Sequence, residues 1–297
     1  MAAVQLDIER SGTLTGGSFY GAVQRRHEQY GAIFTDLQHS SPRRLPAHAH
    51  ELPFFTLLLD GSYGERYGRQ SAQYGPFTVM YRPSGIPHQD EIGPRGVKFF
   101  EIEIRPSWRK RLADCSASLD LAHDDCGGGA LLWLAMKLYC ETHGDETHGD
   151  EPSYDLAVES LLAELLAQAA HIPTETFHDA PPWLARVVDK LQVEYRNRLT
   201  LDDLSREAGV HPVHLSRVFR KCTGEGIGDF VHRLRIRAAC EQMLRRDRTL
   251  ADISFSTGYA DQSHFTRAFR KITGRSPAKF RKAAPIVNAS SAPSDSA

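Results

Sequence analysis

The chain has 297 residues, 41% of them apolar and 25% charged, and its formal net charge of −1 hides a division. Residues 181–282 carry 21 Lys and Arg against 11 Asp and Glu, whereas residues 1–180 carry 15 against 25, so one part suits a polyanion and the other does not. No run approaches the ~18 apolar residues of a membrane span, and the five scattered cysteines (Cys115, Cys126, Cys140, Cys222, Cys240) lack any CxxC pair, which argues for reduced thiols in a cytoplasm and against a disulfide frame or zinc cluster. The length predicts roughly two domains. The first residues, MAAVQLDIERSG, have no apolar h-region and carry Asp7 and Glu9, so they do not read as a secretory signal.

Residues 1–19 are polar and glycine-rich and are expected to be flexible. From about Tyr30 to Ile104 the texture is that of short strands: GAIFTDLQHS, FFTLLLDGSYGERY, FTVMYRPSG and VKFFEIEI. Asp60-Gly61 between apolar runs predicts a hairpin, and Gly75-Pro76, Pro83-Ser84-Gly85 and Gly93-Pro94 mark further turns. Many short strands at close spacing predict a small β-barrel or sandwich. Beyond Arg105 the pattern turns helical. His123–Gly129 (HDDCGGG) reads as a loop, and Ala130–Thr142 and Tyr154–His171 read as apolar amphipathic helices, the second with a stripe of Leu161, Leu162, Leu165, Leu166 and Ala169. Between them the tandem ETHGD repeat of Glu141–Glu151 reads as a duplicated, solvated acidic loop rather than a metal site of His143, Asp145, His148 and Asp150. Pro173, Pro181 and Pro182 make His171–Pro182 an interdomain linker.

The last third is helical and repeats itself. Pro182–Arg196 is expected to pack through Leu184, Val187, Val188 and Leu191. Thr200 can cap the next helix, and His211-Pro212 begins another with proline in its first turn, where it is tolerated. Ile227–Arg246 is a long connecting helix. Leu250 and Ile253 then open a short helix that Gly258 ends, and Asp261 caps a last one. In that last helix Phe265, Ala268, Phe269 and Ile272 recur at i, i+3, i+4 and i+7, which predicts a single buried face. Upstream, Leu215-Ser216-Arg217-x-Phe219-Arg220-Lys221 answers Phe265-Thr266-Arg267-x-Phe269-Arg270-Lys271, at an offset of 49 before the second turn and 50 after it. A short helix, a turn and a second helix with a polar, basic outer face is the layout of a helix-turn-helix, whose second helix enters the DNA major groove. Ala284–Ala297 is rich in Pro, Ser and Ala and is expected to be disordered.

The block GY…HFTRAFRKITGRSPAKFR resembles the DNA-binding domain of the AraC/XylS family of transcription regulators, and the likeness covers Pro181–Lys282. Ser254 stands where the family usually has alanine. The resemblance places Val213, Ser216 and Arg217 of the first unit, and Gln262, Ser263, Thr266 and Arg267 of the second, at base-facing positions. The chemistry agrees: Arg217 and Arg267 can each grip a guanine, Gln262 suits adenine, and Val213 suits a thymine methyl. Arg220, Lys221, Arg270, Lys271 and Arg275 are expected to touch phosphates, as are the Thr249 hydroxyl and the backbone at its helix start. Two units on one helix should read successive major-groove segments ~34 Å apart.

A second resemblance lies upstream. His48-Ala49-His50, Gly61, Gly75 and Pro83-x-Gly85-x-x-His88 look like the two motifs of a cupin barrel, a domain that many regulators of this family carry ahead of the DNA-binding domain. In metal-binding cupins two histidines of the first motif, a glutamate, and a histidine of the second hold the metal. His48, His50 and His88 match three of these positions, while Phe54 stands at the place of the glutamate, with Glu51 nearby. One reading is therefore a divalent metal at His48, His50 and His88; the other is histidines that hydrogen-bond an effector or hold loops. An effector in the barrel mouth would meet His48, His50, Phe55, Tyr63, Tyr81, Arg82 and His88, with Arg82 suited to a carboxylate or phosphate. Alternation alone leaves open whether Tyr63 and Tyr81 face inward.

The expected fold class is α+β: a cupin-like effector-binding β-barrel over residues 1–110, linker and dimerisation helices over 111–180, an all-α domain with two helix-turn-helix units over 181–283, and a disordered tail over 284–297. The expected function is a sequence-specific DNA-binding transcription regulator, an activator by resemblance, controlled by a small-molecule effector in the barrel. No catalytic residue and no obligatory cofactor is expected. The expected partners are promoter DNA, the effector, RNA polymerase and a second copy of the chain, paired through the apolar helices unless these simply pack on the barrel. The alternative is a metal-binding cupin enzyme or a metal sensor fused to a DNA-binding domain, and Phe54 counts against the enzyme.

Overall fold

The computed structural model describes residues 12–68, 70–114, 119, 122–125, 129–143, 152–170, 181–244 and 247–283. The chain divides into two units, Met1–Ile172 and Pro173–Ala297. Cys115, Cys126, residues 144–151 of the ETHGD repeat, most of the linker, and the tail from Ala284 lie outside the described residues.

The first unit is a curled sheet of ten strands: β1 (Gly12–Leu14), β2 (Ala22–Gln29), β3 (Ala32–His39), β4 (Arg43–Arg44), β5 (His48–His50), β6 (Phe54–Tyr67), β7 (Gln70–Tyr74), β8 (Thr78–Arg82), β9 (His88–Ile104) and β10 (His123–Asp125). Among the described residues three helices accompany it, α1 (Pro106–Asp114), α2 (Ala130–Thr142) and α3 (Pro152–Ala170). Strand β9 is the spine, pairing antiparallel with β3, β4, β5 and β6. Side chains alternate across the sheet. On one face Leu37, Leu58, Tyr63, Met80, Ile92 and Phe99 form a core against which Phe19 packs. On the other face lie Phe55 and Tyr81, 4.7 Å apart between ring centroids, and Phe100, whose ring meets Tyr139 of α2.

Several expectations are corrected here. Asp60-Gly61 is not a hairpin: β6 runs straight through it, and the pairing with β9 slips at Leu58/Asp60 and again at Gly61/Tyr63. The pair is a bulge that bends the two longest strands. Gly61 is required there, because its φ is +91° and a Cβ would lie 2.1 Å from the Gly96 carbonyl oxygen. The hairpin comes later, where Tyr67 faces Gln70. Residues 12–19 are not a loose arm, since β1 pairs in parallel with β5 and the Gly17 N–H donates to Glu103. His123–Asp125 is a strand on β8 rather than a loop. His143 belongs to the end of α2, stacked on Tyr139 and 2.7 Å from Asp36. Of the α3 stripe, Leu162, Leu165 and Leu166 are 0% exposed, as is Val158, while Leu161 and Ala169 are half-buried, and α3 packs against α2.

The second unit is α4 (Pro182–Glu194), α5 (Leu201–Ala208), α6 (Pro212–Thr223), α7 (Ile227–Met243), α8 (Leu250–Ser256), α9 (Gln262–Thr273) and α10 (Pro277–Ala283). Leu184, Val187 and Leu191 of α4 meet Leu204, Leu215, Phe219 and Phe230 in one core. In the second half Phe269 packs edge-on against Phe265 and Phe280, with centroids 5.6 and 5.3 Å away. Ala268 and Ile272 are only half-buried, because they line a shallow groove beside Asp229 and His232 of α7.

Candidate functional site

The two helix pairs are built by the same local chemistry. Thr200 and Asp203 form a capping box at α5, and Thr249 and Asp252 form its copy at α8. His211 caps α6 by accepting from the Val213 N–H, whereas Asp261 caps α9 by accepting from the His264 N–H at 2.7 Å. The extra residue of the second repeat thus sits in its turn, between Ser256 and Gln262. Both long helices end on a left-handed glycine, Gly224 and Gly274.

That scaffold buries Leu215, Phe219, Phe265 and Phe269 and turns the opposite faces outward. Arg217, Gln262, Ser263 and Arg267 are exposed, Ser216 and Thr266 are half-exposed, and Val213 is 68% exposed despite being apolar. Arg217 and Arg267 make no ion pair among the described residues, so each fork is available to an acceptor such as a guanine edge. Arg220, Lys221 and Arg270 are exposed as well, Lys271 stands 3.5 Å from Asp229, and Arg275 is half-buried. Thr249 is less available than expected. Its hydroxyl donates to Asp252 at 2.6 Å and accepts from the Asp252 N–H, while its own N–H donates to the same carboxylate.

Sequence reasoning missed Arg235 of α7. Its guanidinium donates to the carbonyls of Tyr195, Asn197 and Gly258, at 2.7, 3.0 and 2.7 Å, and so ties the end of α4 to the turn of the second pair. Gly258 must be glycine there, since a Cβ would lie 2.5 Å from the Arg196 carbonyl oxygen.

In the first unit β5 and the start of β9 bring His48, His50 and His88 together. One ligand nitrogen from each lies within 4.8 Å of the others, and all three residues are buried. Burial lowers the pKa of His48 and takes that of His50 down to about 2. Asp90, two residues after His88 on the same face of β9, stands 3.7 Å from His48 Nε2 and 3.8 Å from His88 Nε2. Tyr63 donates to Asp90 at 2.7 Å. Phe54, at the place of the cupin glutamate, lies with its ring 4.5 Å from that of His50. Glu101 also lines this cavity and accepts from Thr56, and burial holds its carboxyl well above the usual range.

The structure does not gather all seven expected effector residues. Tyr63 joins the three histidines, but Phe55 and Tyr81 lie on the opposite face of the sheet, where the Tyr81 hydroxyl donates to the Leu119 carbonyl. Arg82 is buried and already saturated by carboxylates. It forms a fork with Glu65 and reaches Asp124 at 2.6 Å, so it has no charge to spare for an anion. Asp90 and Glu101 are the residues the sequence reading left out.

Comparison with known proteins bears on the second unit. The helix-turn-helix domain family matches residues 204–283. The HTH-type transcriptional regulator GlxA of Rhizobium meliloti is 28% identical over 158 residues, which is 53% of this chain and 48% of the relative. The bifunctional transcriptional activator/DNA repair enzyme AdaA of Bacillus subtilis is 26% identical over 110 residues, 37% of this chain and 52% of the relative. The chain therefore spans about half the length of these relatives. Among solved structures, ToxT from Vibrio cholerae covers 86% of this chain and 99% of its own at 10% identity and a TM-score of 0.36. The C-terminal domain of AraT, a response regulator from Geobacillus stearothermophilus, covers 38% and 94% at 24% identity and a TM-score of 0.35. Scores of this size carry no argument about architecture. The sequence match and the doubled, capped helix pairs agree on one conclusion: the second unit is a helix-turn-helix domain.

Proposed function

We propose that the chain is a sequence-specific DNA-binding transcription regulator whose first unit senses a ligand. One observation carries the reading: α6 and α9 repeat the same buried aromatic and aliphatic anchors and the same exposed polar and basic face, on either side of a shared helix, α7. A binding protein needs such a face in duplicate; an ordinary helical bundle does not. Val213, Ser216, Arg217, Gln262, Ser263, Thr266 and Arg267 read bases, and Arg220, Lys221, Arg270, Lys271 and Arg275 hold the backbone. The curled sheet is the cupin-like part. Activation, a contact with RNA polymerase and action in the cytoplasm follow from the family likeness, and no helix among the described residues is long and apolar enough to cross a membrane. Two chains act together through the helices that follow the sheet, where Leu156 of α3 is 65% exposed and Leu161 is half-exposed.

The test is selection of DNA from a random pool with the full chain. It should enrich a motif of two blocks about one helical turn apart. Arg267→Ala should cost roughly 1–3 kcal/mol and relax one position of one block, whereas Lys271→Ala should weaken every sequence alike and flatten the salt slope by about 1. An unenriched pool, or equal losses of specific and nonspecific binding in Arg267→Ala, would overturn the reading. Light scattering that finds only monomers at micromolar concentration, with and without the selected DNA, would remove the pairing.

A further inference from the structure

We infer that Arg235 of α7 is a positioning residue for DNA reading: it holds the second recognition helix, α9, at a fixed orientation to the first, α6, so that the two bind as one body. This role rests on the DNA-reading function proposed above and supplies the tie that makes its two halves act together.

A guanidinium offers five N–H donors in a planar fork that matches a carboxylate. Arg235 instead meets three backbone carbonyls from two separate segments. Its Nε donates to Tyr195 at 2.7 Å and its Nη2 to Asn197 at 3.0 Å, both just beyond the end of α4. Its Nη1 donates to Gly258 at 2.7 Å, in the turn that leads to α9. The side chain is half-buried, burial lowers its pKa, and among the described residues no carboxylate pairs with it. A cation partly withdrawn from water without a counter-charge is costly unless its hydrogen bonds are kept. Arg235 is therefore held there for where its donors point. Capping of α4 accounts for the bonds to Tyr195 and Asn197, because the last carbonyls of a helix lack partners. It does not account for the bond to Gly258, which belongs to the other helix pair.

Each side of the tie leads to a recognition helix. On one side Leu184, Val187 and Leu191 of α4 share a core with Leu215 and Phe219 of α6. On the other, Gly258 precedes Tyr259, which is buried with its ring 5.2 Å from that of His264 and 5.4 Å from that of Phe265, near the start of α9. Helix α7 already joins the two pairs through the chain, and Arg235 adds a second connection near its middle. Two bodies joined by one element can pivot about it, and a second tie removes that freedom. Linked binding heads strengthen each other only when both reach their sites in one placement. Loss of the tie should thus weaken joint binding and spare each head alone. Lysine cannot stand in, since an ammonium has no planar fork to span three separate carbonyls.

The experiment measures, by fluorescence anisotropy with the full chain, affinity for a duplex that carries both selected blocks and for duplexes in which one block or the other is scrambled. The wild type should bind the intact duplex at least about 100-fold more tightly than either one-block duplex. Arg235→Gln and Arg235→Lys should each cut that advantage by about 10-fold or more, with one-block affinities within about 2-fold of the wild type. Unchanged one-block binding also shows that both helix pairs are folded. Both variants should lose less than the wild type when one base pair is inserted between the blocks. Lys190→Gln, which breaks the 2.6 Å tie to Glu207 inside the first pair, should leave the advantage at its wild-type value. An advantage unchanged in both Arg235 variants, or a loss shared equally by one-block and two-block duplexes, would overturn the positioning role and leave the regulator standing. A wild type with no preference for the two-block duplex would overturn both.

Discussion

The two units place their polar chemistry in opposite ways. In the sheet unit His48, His50, His88, Glu65, Arg82, Asp90, Glu101 and Glu103 are all buried. In the helical unit Arg217, Arg220, Lys221, Gln262, Arg267 and Arg270 are all exposed. A buried polar group must be matched atom by atom, whereas an exposed one can wait for a partner from solution. The first unit thus keeps its buried charges for partners within the fold, and the second presents its charges to solvent.

The contrast can be broken most sharply at Arg82. Arg82→Ala strands Glu65, which is 5% exposed, and should destabilise the first unit by about 3–5 kcal/mol, read by urea unfolding. Arg270→Ala, with its exposed guanidinium, should change stability by less than about 0.5 kcal/mol. Equal effects would erase the distinction. Phe269→Ala tests the helical unit where it does bury side chains: the residue is 0% exposed between Phe265 and Phe280, and the expected loss is about 3–5 kcal/mol. Phe219→Ala should cost the same in the first helix pair if the repeat is energetic as well as geometric.

A third prediction concerns pH. Burial raises the Glu103 carboxyl from 4.5 to about 7. Above about pH 4.5 the unfolded chain has released this proton while the folded chain keeps it, so stability should fall as pH rises from about 4.5 to 7. Glu103→Gln should remove that slope and leave the protein up to about 3 kcal/mol more stable at pH 8. Unfolding curves at several pH values measure it directly, and an unchanged slope would show that Glu103 is ionised in the fold. The smallest expected effect is at the caps, where Thr200→Ala and Thr249→Ala should each cost about 1 kcal/mol. Similar losses at the two sites, seen in thermal melts, would confirm that both capping boxes carry equal weight.

How much of this was legible in the sequence follows the range of the interactions. The helix pairs were, because caps, glycine ends and apolar periodicity act within a few residues: Thr200 and Asp261 do in the fold what their positions predict. The histidine cluster was legible through its motif. Its carboxylate was not sought, although a period of two from His88 places Asp90 on the same face of β9. Glu101 could not be found that way, because it reaches the cavity only through the pairing of Thr56 with Glu101 across β6 and β9. Phe55 and Tyr81 fail for a related reason. Alternation groups them together on one face but does not say which face is concave, and Arg82 reads as a free cation until the fold brings Glu65 and Asp124 to it.

Helix α7 makes the spacing of the domain intolerant of a particular class of change. It runs for 17 residues from the end of the first pair to the start of the second. One residue inserted in its middle would turn everything beyond it by about 100° and advance it by about 1.5 Å. Substitutions on its exposed side leave that angle alone. Descendants of this gene should therefore accumulate many replacements along α7 and almost no insertions or deletions, so the helix works as a ruler whose length is inherited more strictly than its letters.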